Sequence, residues 1–146
     1  MLIRAASVLL AALMIGHMSA YPWSSASIAE QARLAGRMKS VLFGFAGQTT
    51  TYWNLYFGWG VLVGILLLAL AVIVWLVAEL VPYAPRIVAG ISGVVAGTSV
   101  IGAYLSWRFF FLPPCLLFLA IAILLAFAIL ALILPFRAQA SEERFT

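Results

Sequence analysis

The sequence lacks aspartate and carries little charge of either sign, since only 8% of its 146 residues are charged. An average soluble domain is about a quarter charged. Hydrophobic residues make up 66% of the chain, and the mean hydropathy is +1.19. A soluble domain of this length leaves about 30% of its unfolded-chain surface exposed, so it could not hide so much apolar surface. The composition therefore argues against a soluble enzyme, a disordered tail or a nucleic-acid-binding domain, and indicates an integral membrane protein.

The chain is also poor in the residues that hold metals and disulfides, with one cysteine, Cys115, and one histidine, His17. A single thiol cannot form an internal disulfide, and no CxxC or His/Cys metal spacing is present. We expect no metal, no cofactor and no thiol-redox chemistry. Eight Lys and Arg residues against four Glu give a net charge of +4. These basic residues are scattered beside apolar runs, which is typical of membrane orientation, so we expect no nucleic-acid partner.

Four runs are long and apolar enough to span a bilayer, which requires about 20 mainly apolar residues. Backbone in lipid must satisfy its own hydrogen bonds, so each run is predicted to be a helix, over about 2–21, 53–81, 87–106 and 114–134. Prolines are expected to end the second and last helices and to separate the third from the fourth. The polar tail 137–146 is expected to be mobile. The predicted fold is a single all-α domain, an integral membrane four-helix bundle over residues 1–146.

The first run also resembles a secretory signal. Arg4 precedes an apolar core, and Ser24-Ser25-Ala26 is a candidate cleavage site. Met18 at the −3 position argues against a cut after Ala20, and the apolar run is longer than a typical signal core. We therefore expect the first helix to be retained.

An amphipathic helix is predicted between the first two spans, over about 28–43. Ser27 and Glu30 have the spacing of a capping box, in which each side chain bonds the other's backbone amide. Apolar residues then recur at spacings of mostly three, four and seven, with basic residues between them: Ile28, Leu34, Met38, Val41, Leu42 and Phe45 against Arg33, Arg37 and Lys39. Such a helix lies in the membrane interface. A re-entrant or pocket-covering helix is the alternative.

Two GxxxG patterns, Gly60–Gly64 and Gly93–Gly97, are candidate helix-packing sites because small residues four apart allow close approach of helix backbones. With a rise of ~1.5 Å per residue, both lie ~15 Å below the aromatic end of their helix. We expect them to meet near mid-bilayer, with the second and third helices antiparallel. Dimerisation through one of them is the alternative.

Four spans put both termini on one side of the membrane. The basic residues divide evenly between the two sides, with Arg4, Arg86, Arg137 and Arg144 on one and Arg33, Arg37, Lys39 and Arg108 on the other. Arg4 precedes the first helix and favours a cytoplasmic N-terminus. Glu79, near the end of the second helix, is expected to pair with Arg86 or Arg4.

One membrane face collects most of the polar and aromatic side chains. Interfacial belts account for the rings, but not for Arg108, which lies between Trp107 and Phe109-Phe110-Phe111 where an ionised group is costly. Arg108 either snorkels to the interface or needs a partner, such as a phosphate, an anionic ligand, tyrosine hydroxyls, Glu30, or the ring of Trp53 or Trp107. The candidate ligand-binding residues are Arg108, His17, Tyr52, Asn54, Tyr56, Trp53 and Trp107. His17 is either a hydrogen-bonded interfacial residue or a pH-sensitive ligand contact.

The strings TYWNLYFGWG (51–60) and LSWRFFF (105–111) resemble those of a group of small bacterial four-helix membrane proteins that have no assigned activity. The resemblance covers most of the chain and implies four spans in a bacterial inner membrane. It implies no reaction and therefore no catalytic residue. A likeness to DoxX-type four-helix proteins rests on architecture alone.

Three functions fit these observations. The leading prediction is an accessory or scaffold subunit of a membrane complex, with other membrane subunits or a second copy as partners. The alternative is a binder of a membrane amphiphile (lipid, quinone or isoprenoid) at an outer-face pocket around Arg108. The third is an enzyme on a lipid-like substrate, with His17 as acid/base and Arg108 as electrophile. It is the weakest, because the sequence shows no paired carboxylates or nucleophile–base pair.

Overall fold

The fold was analysed in a computed structural model, which describes residues 1–20 and 27–142, with side chains described up to residue 134. Its helices are α1 (Leu2–Ala20), α2 (Ala29–Ser40), α3 (Tyr52–Glu79), α4 (Pro85–Phe109) and α5 (Leu112–Glu142). Two short strands, β1 (Leu42–Phe45) and β2 (Gln48–Thr51), lie between α2 and α3. All helices but α2 are long and apolar enough to cross a membrane, α5 over Leu112–Leu134. The predicted all-α fold with four membrane-length helices is confirmed.

Prolines mark most of the helix ends. α3 ends at Glu79, before Pro82, and α4 begins at Pro85, a position whose missing N–H has no helical partner to lose. Pro113 and Pro114 do not precede the last helix but lie in the first turn of α5, where the same reason applies.

Pro135 does not end α5, so that prediction is wrong. The helix continues to Glu142, because a membrane helix can lose one backbone hydrogen bond at a proline without ending there. The predicted mobile tail, 137–146, is therefore helical as far as Glu142, and its last four residues lie outside the described residues. The candidate cleavage site at 24–26 lies outside them as well.

The contacts divide the chain into two compact units, Met1–Leu13 with Leu67–Thr146, and Met14–Leu66. The first unit contains the start of α1, the second half of α3, and α4 and α5. Leu10, Val88, Ile121 and Leu125 are fully buried in its core. The hydroxyl of Ser7 in α1 donates a 2.7 Å hydrogen bond to the carbonyl of Ala71 in α3. This bond satisfies a buried polar group and ties the two helices together.

Helix α4 packs on α5, and small residues lie on its buried face. Ser92, Ser99 and Ser106, seven residues apart, are buried on the inner face of α4. A Cβ placed on Gly102 would lie 3.0 Å from ring atoms of Phe118 in α5, so the ring lies directly against the α4 backbone. Small residues therefore allow these two helices to approach closely, as is usual where lipid offers no hydrophobic driving force.

In the second unit, the start of α2 differs from the prediction. The capping box is wrong: Ile28 is the N-cap, which makes Gln31 the third helical residue, and its Oε1 accepts 2.9 Å hydrogen bonds from the amide and the hydroxyl of Ser27. Glu30 forms an ion pair with Arg33 instead. The N-cap lies one residue later than the sequence motif predicts. The side chain that bonds back to Ser27 is therefore that of Gln31 and not that of Glu30.

A β-hairpin replaces the end of the predicted interfacial helix. α2 ends at Ser40, and β1 pairs with β2 in an antiparallel register that aligns Phe45 with Gln48. The two turn residues, Ala46 and Gly47, have φ values of 50° and 80°. Positive φ at both central residues is the geometry of the tight hairpin turn whose twist matches that of the strands.

Candidate functional site

The predicted ligand-binding residues divide between the two units. His17, Tyr52, Trp53, Asn54 and Tyr56 belong to Met14–Leu66, whereas Trp107 and Arg108 belong to the unit that holds α4 and α5. The surroundings of each residue are therefore described within its own unit.

Arg108 lies in the last turn of α4 and is exposed. Its guanidinium carbon is 5.3 Å from the ring centroid of its neighbour Phe109, and among the described residues it has no hydrogen bond or ion pair. Trp107 and Phe110 are 70% and 71% exposed. Glu30, the carboxylate considered as a partner, bonds Arg33.

The start of α3 is built around its N-terminal cap. The hydroxyl oxygen of Thr51 accepts a 3.1 Å hydrogen bond from the amide of Asn54, which satisfies one of the unpaired amides of the first turn. The Asn54 side chain itself is exposed. Sequence reasoning missed this cap, although a threonine three residues before Asn54 at a helix start is a recognisable signal.

The aromatic residues of this helix start are contacted by the α2 and hairpin segment. The ring of Phe43 in β1 stacks on Tyr52 with centroids 4.3 Å apart. The Lys39 ammonium lies 4.4 Å from the ring centroid of Trp53, so the cation on this indole is Lys39. Trp53 and Tyr56 have ring centroids 5.8 Å apart. Together these contacts fix the segment that precedes α3 onto the first turns of the helix.

His17 contacts the backbone of α3. Its Nε2 lies 2.8 Å from the carbonyl oxygen of Gly60, so Nε2 is the protonated nitrogen that donates. One turn further along, a Cβ on Gly64 would overlap the Met18 side chain, at 2.9 Å from Cγ and closer still to Sδ. The residues that contact Gly60 and Gly64 therefore belong to α1. From the sequence we predicted that Gly93 and Gly97 would be the contacts of these glycines, but a GxxxG pattern does not specify which helix packs against it.

The glycines of α4 outside the α5 contact have open surroundings. Gly90, Gly93 and Gly97 are all exposed. Among the residues whose side chains the structure describes, a Cβ on Gly90 or Gly97 would meet nothing within 4 Å, and one on Gly93 would meet only Cδ1 of Ile129 in α5, at 4.0 Å. We call these three residues the glycine face of α4.

An ion pair joins the start of α1 to the end of α3. Nη2 of Arg4 donates to Oε1 of Glu79 at 2.6 Å, and each side chain is about half exposed, at 50% and 54%. The Arg4 guanidinium carbon also lies 5.4 Å from the ring centroid of Trp75, one turn before Glu79. Arg4 is one of the two partners that the sequence predicted for Glu79. The Trp75 contact was missed, although the spacing of four puts Trp75 and Glu79 on one face.

Four membrane-length helices identify a multi-pass membrane protein. No family model, no curated protein and no solved structure matches the chain. Function therefore has to be argued from the contacts themselves.

Proposed function

We propose that the protein is a helix-docking subunit, an accessory or scaffold component that uses the glycine face of α4 to bind a transmembrane helix of another membrane protein. We assign it to the bacterial inner membrane with both termini in the cytoplasm. The resemblance of its two aromatic strings to small bacterial membrane proteins supports the membrane, and the basic Arg4 in the first turn of α1 supports the orientation.

The observation that carries the proposal is a contrast between two faces of α4. The inner face, with Gly102 against Phe118, shows what small residues do when a helix occupies them. The glycine face has three glycines, and among the described residues a Cβ there would meet at most Cδ1 of Ile129, 4.0 Å from Gly93. In lipid, glycine at an exposed helix position contributes nothing to apolar contact, whereas against another helix it allows close backbone packing.

Side chains beside the glycine face complete a suitable docking surface. Val94 and Ile101 are 71% and 61% exposed and flank the glycines. The exposed hydroxyl of Thr98 donates to the carbonyl of Val94 in its own helix at 2.9 Å, so it leaves no unpaired donor in the surface. The surface is therefore apolar and grooved, which suits an apolar partner helix.

Native mass spectrometry of the protein released from its host membranes in mild detergent tests the proposal. We expect a stoichiometric companion protein with the wild-type chain and its loss with Gly97→Leu, because the leucine fills the groove. Gly58→Leu is the matched control: Gly58 in α3 is also exposed with open surroundings, and the companion should be retained.

Two results would overturn the docking of a partner at the glycine face, and a third would contradict the accessory role. One is a wild-type protein that is released as a bare monomer. The other is a companion that stays bound to the Gly97→Leu variant as firmly as to the wild type. A companion that proves to be a second copy of the chain would make the glycine face a self-association surface and contradict the accessory role.

A further inference from the structure

A groove with one charged end lies in the unit formed by Met1–Leu13 and Leu67–Thr146. It is bounded by the start of α1, the end of α3 and a stretch of α5, and has a volume of about 360 Å³. Small-molecule sites run from about 300 to 1,000 Å³. The groove is therefore large enough for the headgroup and first methylenes of an amphiphile, whose remaining length would lie in the bilayer.

The charged end is the Arg4–Glu79 ion pair, and neither partner is saturated by it. A guanidinium has five N–H donors, and within the described residues Arg4 uses Nη2 alone, towards Oε1 of Glu79. No described hydrogen bond reaches Oε2 of Glu79. Both groups are also half exposed, so each can take a further partner without breaking the pair.

The other side chains that line the groove are apolar, and several of them are short. Ile3 and Ala128 are buried at the groove, and Leu132 is half buried. Ala78 and Ala131 contribute one methyl group each to the lining, so the space between the helices stays open. An acyl chain fits such walls, because apolar surface meets apolar surface.

We propose that the groove binds one phospholipid whose headgroup carries both a phosphate and a primary ammonium. The phosphate accepts hydrogen bonds from the free donors of Arg4, and the ammonium donates to Oε2 of Glu79. An anionic headgroup that has no ammonium would meet repulsion from Glu79 and would leave Oε2 of this carboxylate without a donor. A zwitterionic headgroup satisfies both charges at once.

The primary amine matters because Oε2 of Glu79 can accept only from a group that has a hydrogen to donate. A quaternary ammonium cannot donate a hydrogen bond to a carboxylate and is usually bound by aromatic faces. None of the described residues that line the groove is aromatic. The indole of Trp75 lies outside this lining and has the Arg4 guanidinium 5.4 Å from its ring centroid. The site therefore favours ethanolamine over choline. This inference does not depend on the glycine face of α4.

Competition between headgroups tests the proposal. Delipidated protein in detergent is given equal amounts of phosphatidylethanolamine, phosphatidylcholine and phosphatidylglycerol, and bound lipid is counted by native mass spectrometry. We expect one retained phosphatidylethanolamine per chain, at roughly tenfold or more over the other two, as for a hydrogen bond to a charged group. Equal retention of all three, a preference for phosphatidylglycerol, or no retained lipid would overturn the proposal.

Charge variants separate the two halves of the site. Glu79→Gln should abolish the preference for ethanolamine over glycerol headgroups, and Arg4→Gln should lower retention of all three lipids. Arg33→Gln is the matched control, because it removes a guanidinium from another exposed Arg–Glu pair whose arginine does not line the groove, and should change nothing.

A steric variant keeps the test decisive if a charge variant fails to fold. Ala131→Phe fills the groove from an exposed position and should eliminate the retained lipid. Ala69→Phe makes the same change at an exposed alanine of α3 that does not line the groove, and lipid should be retained. Unchanged retention in a folded Ala131→Phe variant would refute the site.

Discussion

Nε2 of His17 lies 2.8 Å from the carbonyl oxygen of Gly60, so the one histidine of the chain binds the backbone of a neighbouring helix. The carbonyl can accept only from a protonated nitrogen, and Nε2 carries a hydrogen in the imidazolium as well as in this neutral tautomer. The bond therefore requires a hydrogen on Nε2. It gives His17 a structural role that does not require a ligand.

His17→Ala should lower the stability of the protein by about 0.5–1.5 kcal/mol, the net worth of one such hydrogen bond. His17→Gln should restore part of this loss, because the glutamine amide can donate to the same carbonyl. Thermal unfolding in detergent measures both variants. If the alanine variant melts with the wild type, the contact contributes nothing to folding.

Gly102→Leu should destabilise the protein by about 1–3 kcal/mol, the usual cost of overpacking a tight contact. The reason is the Phe118 ring, whose atoms would lie 3.0 Å from the first added carbon. Gly97→Leu is the control on the same helix, since its added carbon meets nothing within 4 Å. A shared loss of melting temperature would mean that leucine disturbs α4 generally and that the ring contact is not the cause.

Ser92→Ala should stabilise the protein by about 1 kcal/mol, because the buried hydroxyl of Ser92 has no hydrogen-bond partner among the described residues. Ser7→Ala is the matched opposite and should destabilise by about 1 kcal/mol, since it removes the donor to Ala71. Melting temperatures in detergent should move in opposite directions. Losses of equal size would show that Ser92 has a partner.

Gly47→Val should destabilise the hairpin by about 1–2 kcal/mol, because a β-branched residue is strained at the φ of 80° found there. Ala46→Gly should act in the other direction, since it relieves a positive φ of 50° at a residue with a Cβ. Hydrogen exchange of the 42–51 peptide reports both effects. Faster exchange in the Ala46→Gly variant would contradict the assigned turn.

The four spans could be predicted because a bilayer imposes length and apolarity on each run independently of the others. The ion pair of Glu79 was predictable for a similar reason, since a carboxylate at the end of a span needs a cation at the same level. Both predictions depend on depth in the membrane, which the sequence encodes directly.

The partners of the glycines were not predictable. Gly64 packs against Met18, and nothing in the pattern distinguishes α1 from α4 as its neighbour, because small residues permit close approach by any helix. The hairpin was missed for a different reason. Apolar spacings typical of a helix continue through Phe45, and the positive φ values fall on Ala46-Gly47, a weaker turn signal than Asn-Gly.

The predicted binding face grouped residues by their depth in the membrane. A shared depth does not establish that two side chains are in contact. Trp53 did receive a cation, but it is Lys39, fourteen positions earlier in the chain and joined to it through the hairpin. Arg108 lies against its own neighbour Phe109. Sequence periodicity identifies which residues share a depth, whereas the choice between partners at that depth depends on the tertiary structure.

The hairpin makes the connection between α2 and α3 a spacer of fixed length. Side chains alternate between the two faces of a strand, so deleting one residue from β1 would turn the ring of Phe43 away from Tyr52. A two-residue turn cannot lengthen or shorten to compensate for such a deletion. Sequences related to this one should therefore keep the residue count of this segment.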